Sequence, residues 1–224
     1  MRLYLSSFRL GDHADKLVGL LDDADATSKR SVGVIANAMD ALPADVRRAS
    51  VDFEIEQLAG LGLAAEELDL RTYFSTAGSD GPDSDLLAGK LAGYRMLWVR
   101  GGNAFVLRSA LAHSGADSLV TDLLSRDALV YAGYSAGSCV LAPSLRGIEL
   151  VDPVDGVRRA YGTEPTWEGL GVLPYAVVPH YRSDHPESAD IERVAELYRA
   201  TGVPHRALRD GQAIVVEGDC EAIF

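Results

Sequence analysis

The chain has 224 residues, 47% of them apolar and 24% charged, which is enough to bury a substantial core and excludes a disordered or low-complexity protein. Thirty-three acidic against 21 basic residues give a net charge of −12, a surface that repels phosphate backbones and excludes nucleic acid as a main partner. No apolar run approaches a membrane span, the opening MRLYLSSFRLGD lacks a signal peptide's apolar stretch, and two cysteines, Cys139 and Cys220, allow neither a disulfide framework nor a cysteine-rich zinc site.

Leu3–Ser6 begins the pattern as a short buried strand, and Ala14–Leu21 follows with apolar residues at helical spacing. Ser31–Ala36 is the next strand. Ala44–Leu61 is a long helix, started by Pro43 and stopped by Gly60 and Gly62. Asp85–Ala92 is helical, Met96–Val99 extended, Phe105–His113 and Leu119–Leu124 helical, and Ala128–Ala132 extended again. Such alternation predicts an α/β fold in one domain over 1–224, a mostly parallel sheet flanked by helices on both faces. Residues 143–174 hold no sustained period and read as short strands and loops over the sheet. Tyr175–Val178 is a further strand, followed by a helix near 187–200 and a return strand near His205–Leu208. Ala213–Val216 and Glu221–Phe224, around Gly218-Asp219, form a closing β-hairpin. Lys29-Arg30 and Arg47-Arg48 read as solvated charge.

The strongest chemical signal is Gly133-Tyr134-Ser135-Ala136-Gly137, directly after an apolar strand and leading into a short helix. A serine between two spaced glycines at a strand-to-helix turn is a nucleophile elbow. Bulky neighbours would collide there, and the hydroxyl is pushed out beside free backbone N–H groups that favour an oxyanion. Arg100-Gly101-Gly102-Asn103 ends another apolar strand, where Asn103 can cap the following helix. In one parallel sheet both strand ends face the same edge, which makes Gly102 and Ala136 candidate oxyanion donors.

Such a serine needs a base. His13, His113 and His205 read as surface or packing residues. His180 follows the strand Tyr175–Pro179 and projects at a strand terminus; His185, at a helix start, is the rival. An acceptor must fix the imidazole tautomer, and Asp210, Asp184 and Glu187 are the candidates. Cys139 reads as a small buried residue, and Trp167 as either packing or a pocket wall. There is no metal-ligand cluster and no phosphate loop, so no metal and no cofactor are expected.

The ordered elements GGN, GYSAGS, VPHY and RDG resemble the peptidase E (aspartyl dipeptidase) family of serine peptidases, with cyanophycinases as more distant members. The resemblance implies a flavodoxin-like, class I glutamine amidotransferase-like fold and serine-type hydrolysis of short peptides. By position it implies Ser135 as nucleophile, His180 as base, and Gly102 and Ala136 as oxyanion amides. Asp210 matches the family's acid, usually a glutamate. The order Ser135, His180, Asp210 differs from ordinary α/β-hydrolases, and serine at the elbow speaks against a glutaminase. An arginine that binds aspartate in the family is matched by Ala189; Arg182, Arg158 and Arg159 could substitute, and Asn103 and Arg182 are candidate substrate contacts. A cytoplasmic enzyme, a small peptide as partner, no membrane, and a homodimer complete the expectation. The alternative is a non-catalytic ligand-binding or sensing module on the same fold.

Overall fold

A computed structural model describes residues 1–21, 30–75 and 82–224, so Lys29 of the first basic pair lies outside the described residues. The first half alternates as the periodicity predicts: β1 (Arg2–Ser6), α1 (Ala14–Gly19), β2 (Ser31–Ile35), α2 (Ala44–Gly60), β3 (Ala64–Glu67) and α3 (Ser84–Leu91). Next come β4 (Met96–Val99), α4 (Ala104–Ser114), α5 (Ala116–Ser125), β5 (Val130–Tyr134) and the one-turn α6 (Ala136–Cys139). The last third holds α7 (Asp155–Tyr161), β6 (Ala176–Val178), α8 (Ser188–Thr201), β7 (His205–Ala207), β8 (Ala213–Glu217) and β9 (Cys220–Ile223).

Seven strands form one sheet in the order β3-β2-β4-β5-β1-β8-β9. The five from β3 to β1 run parallel, and β8 and β9 close the edge as an antiparallel hairpin. Alternating side chains feed two separate cores. Leu3, Leu5, Leu97, Val99 and Tyr131 point into one, packed by helices including α4, α5 and α8. Tyr4, Val32, Val34, Met96, Trp98 and Ala132 point into the other, covered by α1 and α2. Both faces are buried, which is why the parallel strands read as continuous apolar runs.

Three readings are corrected. β3, with the sequence Ala-Ala-Glu-Glu, carries no strand signal, yet it pairs with the free edge of β2. Backbone pairing forms such an edge strand, and its half-exposed side chains need no apolar period. Residues 143–174 contain the helix α7, which buries only Gly156 and Val157 and so shows no apolar stripe. The Tyr175–Val178 segment stays out of the main sheet; β6 pairs in parallel with β7 in a two-stranded sheet of its own.

Candidate active site

β4, β5 and β1 are neighbours in the sheet, with Val99 opposite Gly133 and Ser6 opposite Tyr134. Arg100–Asn103, Ser135 and Ser7 therefore leave the sheet side by side at its carboxyl edge, where parallel α/β sheets bind ligands.

Ser135 adopts φ 49° and ψ −117°, a conformation that L side chains rarely take. Its surroundings impose it. The amides of Ser138 and Cys139 both donate to the Ser135 carbonyl at 2.9 Å, and the Tyr131 hydroxyl donates to the Gly137 carbonyl at 2.7 Å. A Cβ at Gly133 would lie 2.6 Å from the Val99 carbonyl oxygen, and one at Gly137 would overlap that oxygen outright. The spaced glycines thus let the elbow press against β4. Ala136, the first residue of α6, carries an N–H with no acceptor within its own helix. Gly102 has φ 141°, and a side chain there would meet the Ala38 carbonyl at 2.9 Å, so the turn after β4 requires glycine.

Beneath this edge lies the buried carboxylate of Glu54 from α2. It accepts from the Tyr134 hydroxyl at 2.6 Å and the Trp98 indole at 2.7 Å, and the Arg100 Nε is 3.3 Å away. The end of β4 and the end of β5, which carries the elbow, are therefore tied to one acid.

The β6–β7 pairing continues past both strands, with the Leu208 amide donating to Val178 and the Tyr181 amide to Leu208, both at 2.9 Å. That register sets Asp210 beside His180. The His180 Nδ1 lies 2.8 Å from Asp210 Oδ1, with the imidazole buried and the carboxylate partly open to solvent. A proton on Nδ1 donated to the carboxylate leaves the Nε2 lone pair free to accept one. Burial lowers the pKa of His180 below the ordinary histidine value, against the raising effect of Asp210. Of the rival acids, Asp184 is exposed, and Glu187 sits with His185, whose Nδ1 accepts its backbone N–H at 3.3 Å.

Other sequence candidates have different partners. The Asn103 side chain caps α4 through the Val106 amide at 3.0 Å and donates to the Pro153 carbonyl at 2.8 Å. Arg182 lies over the Tyr181 ring and 3.8 Å from Glu192. Arg158 pairs with Glu164 and Arg159 with Asp155, while Ala189 is exposed on α8. Trp167 packs edge-on against Phe105, and burial pushes the Cys139 thiol pKa far up, which removes it as a nucleophile. His13 and His113 pack against aromatic rings, and His205 donates to the Val203 carbonyl.

Sequence reasoning missed three groups here, Phe8, Ser7 and Asp152, and it named His185 only as a rival base, not as a partner of His180. Phe8 sets its ring edge-on to His180 and His185, at 5.6 and 5.4 Å, and 6.2 Å from Tyr134. It bridges the strand end that carries Ser135 and the loop that carries His180. His185 stacks on His180 with ring centres 3.7 Å apart and planes 8° from parallel. Ser7 contacts Asp210 and His180. Asp152 accepts the Ala104 amide at 2.7 Å, and burial raises its carboxyl to about 7. The usable signal was position: Ser7 and Phe8 directly follow β1, at the ligand-binding edge of a parallel sheet.

His180, His185 and Glu187 have ligand atoms within 4.8 Å of one another, the one such group among the described residues. Imidazole lone pairs lie in the ring plane. An ion midway between rings stacked 3.7 Å apart would stand half that separation out of each plane, so the stacked pair fits chelation poorly. A serine at a strained turn, an imidazole of fixed tautomer and a carboxylate behind it are instead the parts of nucleophilic acyl transfer.

The family model of peptidase family S51 matches residues 56–223. Peptidase E of Streptomyces coelicolor is 35% identical over 131 residues, 55% of this chain and 49% of that protein. An uncharacterised peptidase of Pasteurella multocida is 27% identical over 162 residues, 72% of this chain and 70% of that one. The match thus spans about half the length of the Streptomyces relative. A candidate peptidase E protein from Listeria monocytogenes EGD-e has a crystal structure alike in fold, with TM-score 0.75 at 21% identity, covering 100% of this chain and 97% of that one.

Proposed function

Because this chain belongs to peptidase family S51, we propose that it is a serine peptidase that hydrolyses short peptides through an acyl-enzyme on Ser135. The observation that carries this reading is the buried His180 imidazole, bound through Nδ1 to Asp210 at 2.8 Å, in a fold whose sheet edge also presents the strained Ser135. In this reading His180 takes the Ser135 proton as Oγ attacks the scissile carbonyl, and Asp210 stabilises the imidazolium. The amides of Gly102 and Ala136 receive the oxyanion. The imidazolium then protonates the leaving amine. Water, deprotonated by His180, hydrolyses the ester and restores Ser135. These steps draw only on side chains and backbone amides of residues 1–224, which we read as one catalytic domain.

Asp-X dipeptides are the first substrates to test. Ala189 offers no bidentate fork for an aspartate carboxylate, and Arg158, Arg159 and Arg182 have acidic neighbours of their own. Aspartate at the cleaved bond should therefore be preferred over alanine by less than roughly tenfold in kcat/KM. A dipeptide library read by mass spectrometry measures this, and a hundredfold preference would refute it. Among the described residues no helix is long and apolar enough to cross a membrane. By resemblance to the family we propose a homodimer, which light scattering tests, and a cytoplasmic location, which cell fractionation tests.

Covalent labelling by a fluorophosphonate probe tests the chemistry without knowledge of the substrate. Wild type should label; Ser135→Ala and His180→Ala should not. Ser135→Ala should also lower kcat by roughly 10⁴ or more with the fold intact. A folded wild type that neither labels nor turns over any dipeptide would favour a ligand-binding module instead.

A further inference from the structure

We propose that Ser7 is a positioning residue of this site, whose hydroxyl holds the Asp210 carboxylate and the His180 backbone in one arrangement. The inference rests on the acyl-transfer reading and adds a residue from β1's end, outside the span matched by the family model.

A serine hydroxyl has one proton to donate and two lone pairs to accept with. Ser7 Oγ lies 2.7 Å from Asp210 Oδ1 and 3.3 Å from the Leu208 carbonyl. With one proton available, the shorter, charge-assisted bond to the carboxylate takes it. The same Oγ accepts the His180 backbone N–H at 2.8 Å. Asp210 Oδ1 thus receives two donors, the Ser7 hydroxyl and His180 Nδ1, and the oxygen is fixed between them.

Both partners need such a hold. His180 has φ 57°, uncommon for a side chain of its size, and a strained residue persists where its surroundings over-determine it. Asp210 is anchored on its backbone side by its N–H to the Ser183 hydroxyl at 2.8 Å. Its side chain is 23% exposed, and without Ser7 the carboxylate would keep His180 Nδ1 as its one donor of the two and could turn towards water. Ser7 is itself fully buried and pinned through its amide to the Gln212 carbonyl at 3.0 Å. A merely structural serine could satisfy its proton on the nearby Leu208 carbonyl; the geometry favours the carboxylate.

The test compares the full chain with Ser7→Ala, which removes the hydroxyl, and with Ser7→Cys, which fills the site with a somewhat larger group that is a weak donor. Labelling of Ser135 by a fluorophosphonate is followed against pH, with thermal melts to verify folding. Both variants should label roughly 10- to 100-fold more slowly than wild type. The titratable groups facing His180 are Asp210, His185 and Glu187. Of these, Asp210 does most to raise its pKa, so a displaced carboxylate leaves burial to lower it further. The acid limb of the labelling profile should then move to lower pH. A folded variant that labels within twofold of wild type would overturn the proposal. Slower labelling with the limb unmoved would also overturn it, and would leave Ser7 a packing residue. A wild type that does not label would count against the acyl-transfer reading itself.

Discussion

His180 must be neutral to take a proton, and its environment decides the pH at which it is. Burial dominates and lowers its pKa, and the stacked His185 lowers it further whenever that ring is charged. The acid limb of kcat/KM is therefore expected below the ordinary histidine value of about 6.5. A limb above pH 7 in a pH–rate profile would contradict this. Asp210→Asn should lower kcat less than Ser135→Ala does, because the elbow and its amides survive. Asp152 has the opposite shift, raised to about 7 by burial. A carboxyl raised on folding contributes stability at low pH that is lost as pH rises through the folded value. Asp152→Asn can still accept the Ala104 amide, so it should be more stable than wild type at pH 8 and lose that advantage by pH 4. Urea unfolding at the two pH values measures the difference.

Helix α2 carries charge on its buried face. Arg47, Val51, Glu54 and Leu58 recur on one helical face and all are buried, so the helix turns two charged residues inward. The reading of Arg47 as solvated charge is thereby corrected. Its guanidinium is 8% exposed and lies 2.5 Å from Asp40, 2.6 Å from Glu67 and 3.5 Å from Asp69. Glu54, one face-repeat along, ties the ends of β4 and β5 together. Removing it would leave the Trp98 and Tyr134 donors without that acceptor and the half-buried Arg100, which keeps its bond to the Gly101 carbonyl at 2.7 Å, without its counter-charge. Glu54→Ala should cost about 3 kcal/mol, with Glu54→Gln milder. A loss below about 1 kcal/mol in chemical denaturation would mean that water replaces the carboxylate. Periodicity located α2 because it reports which face is buried. It is silent on a charge that is buried with its counter-charge, and Arg47 and Glu54 are such cases.

The whole molecule carries a net charge of −12, and any substrate approaches through that field. Acidic peptides are repelled and neutral ones are not, while added salt screens the repulsion over about 10 Å at 0.1 M. Raising NaCl from about 10 to about 150 mM should therefore increase kcat/KM for an aspartate-containing dipeptide relative to its alanine counterpart. An unchanged ratio would mean that local groups cancel the field at the site.

Local sequence determined the strand–helix alternation, the closing hairpin, and the turns at Gly102 and Ser135. Each of these has its signal within a few positions: an apolar period, a glycine that alone fits a positive φ, or a pair of glycines around a serine. The carbonyl those two glycines clear, that of Val99, nevertheless comes from another strand. Tertiary structure alone decided which side chains meet. Ser7 touches His180 and Asp210 across separations of 173 and 203 residues, because β1 pairs with β8, just after Asp210, while the β6–β7 pair sets His180 beside Asp210. Phe8 reaches both histidines through the same adjacency. Strand order is set by the joint packing of two cores over the whole chain, and no local period records it.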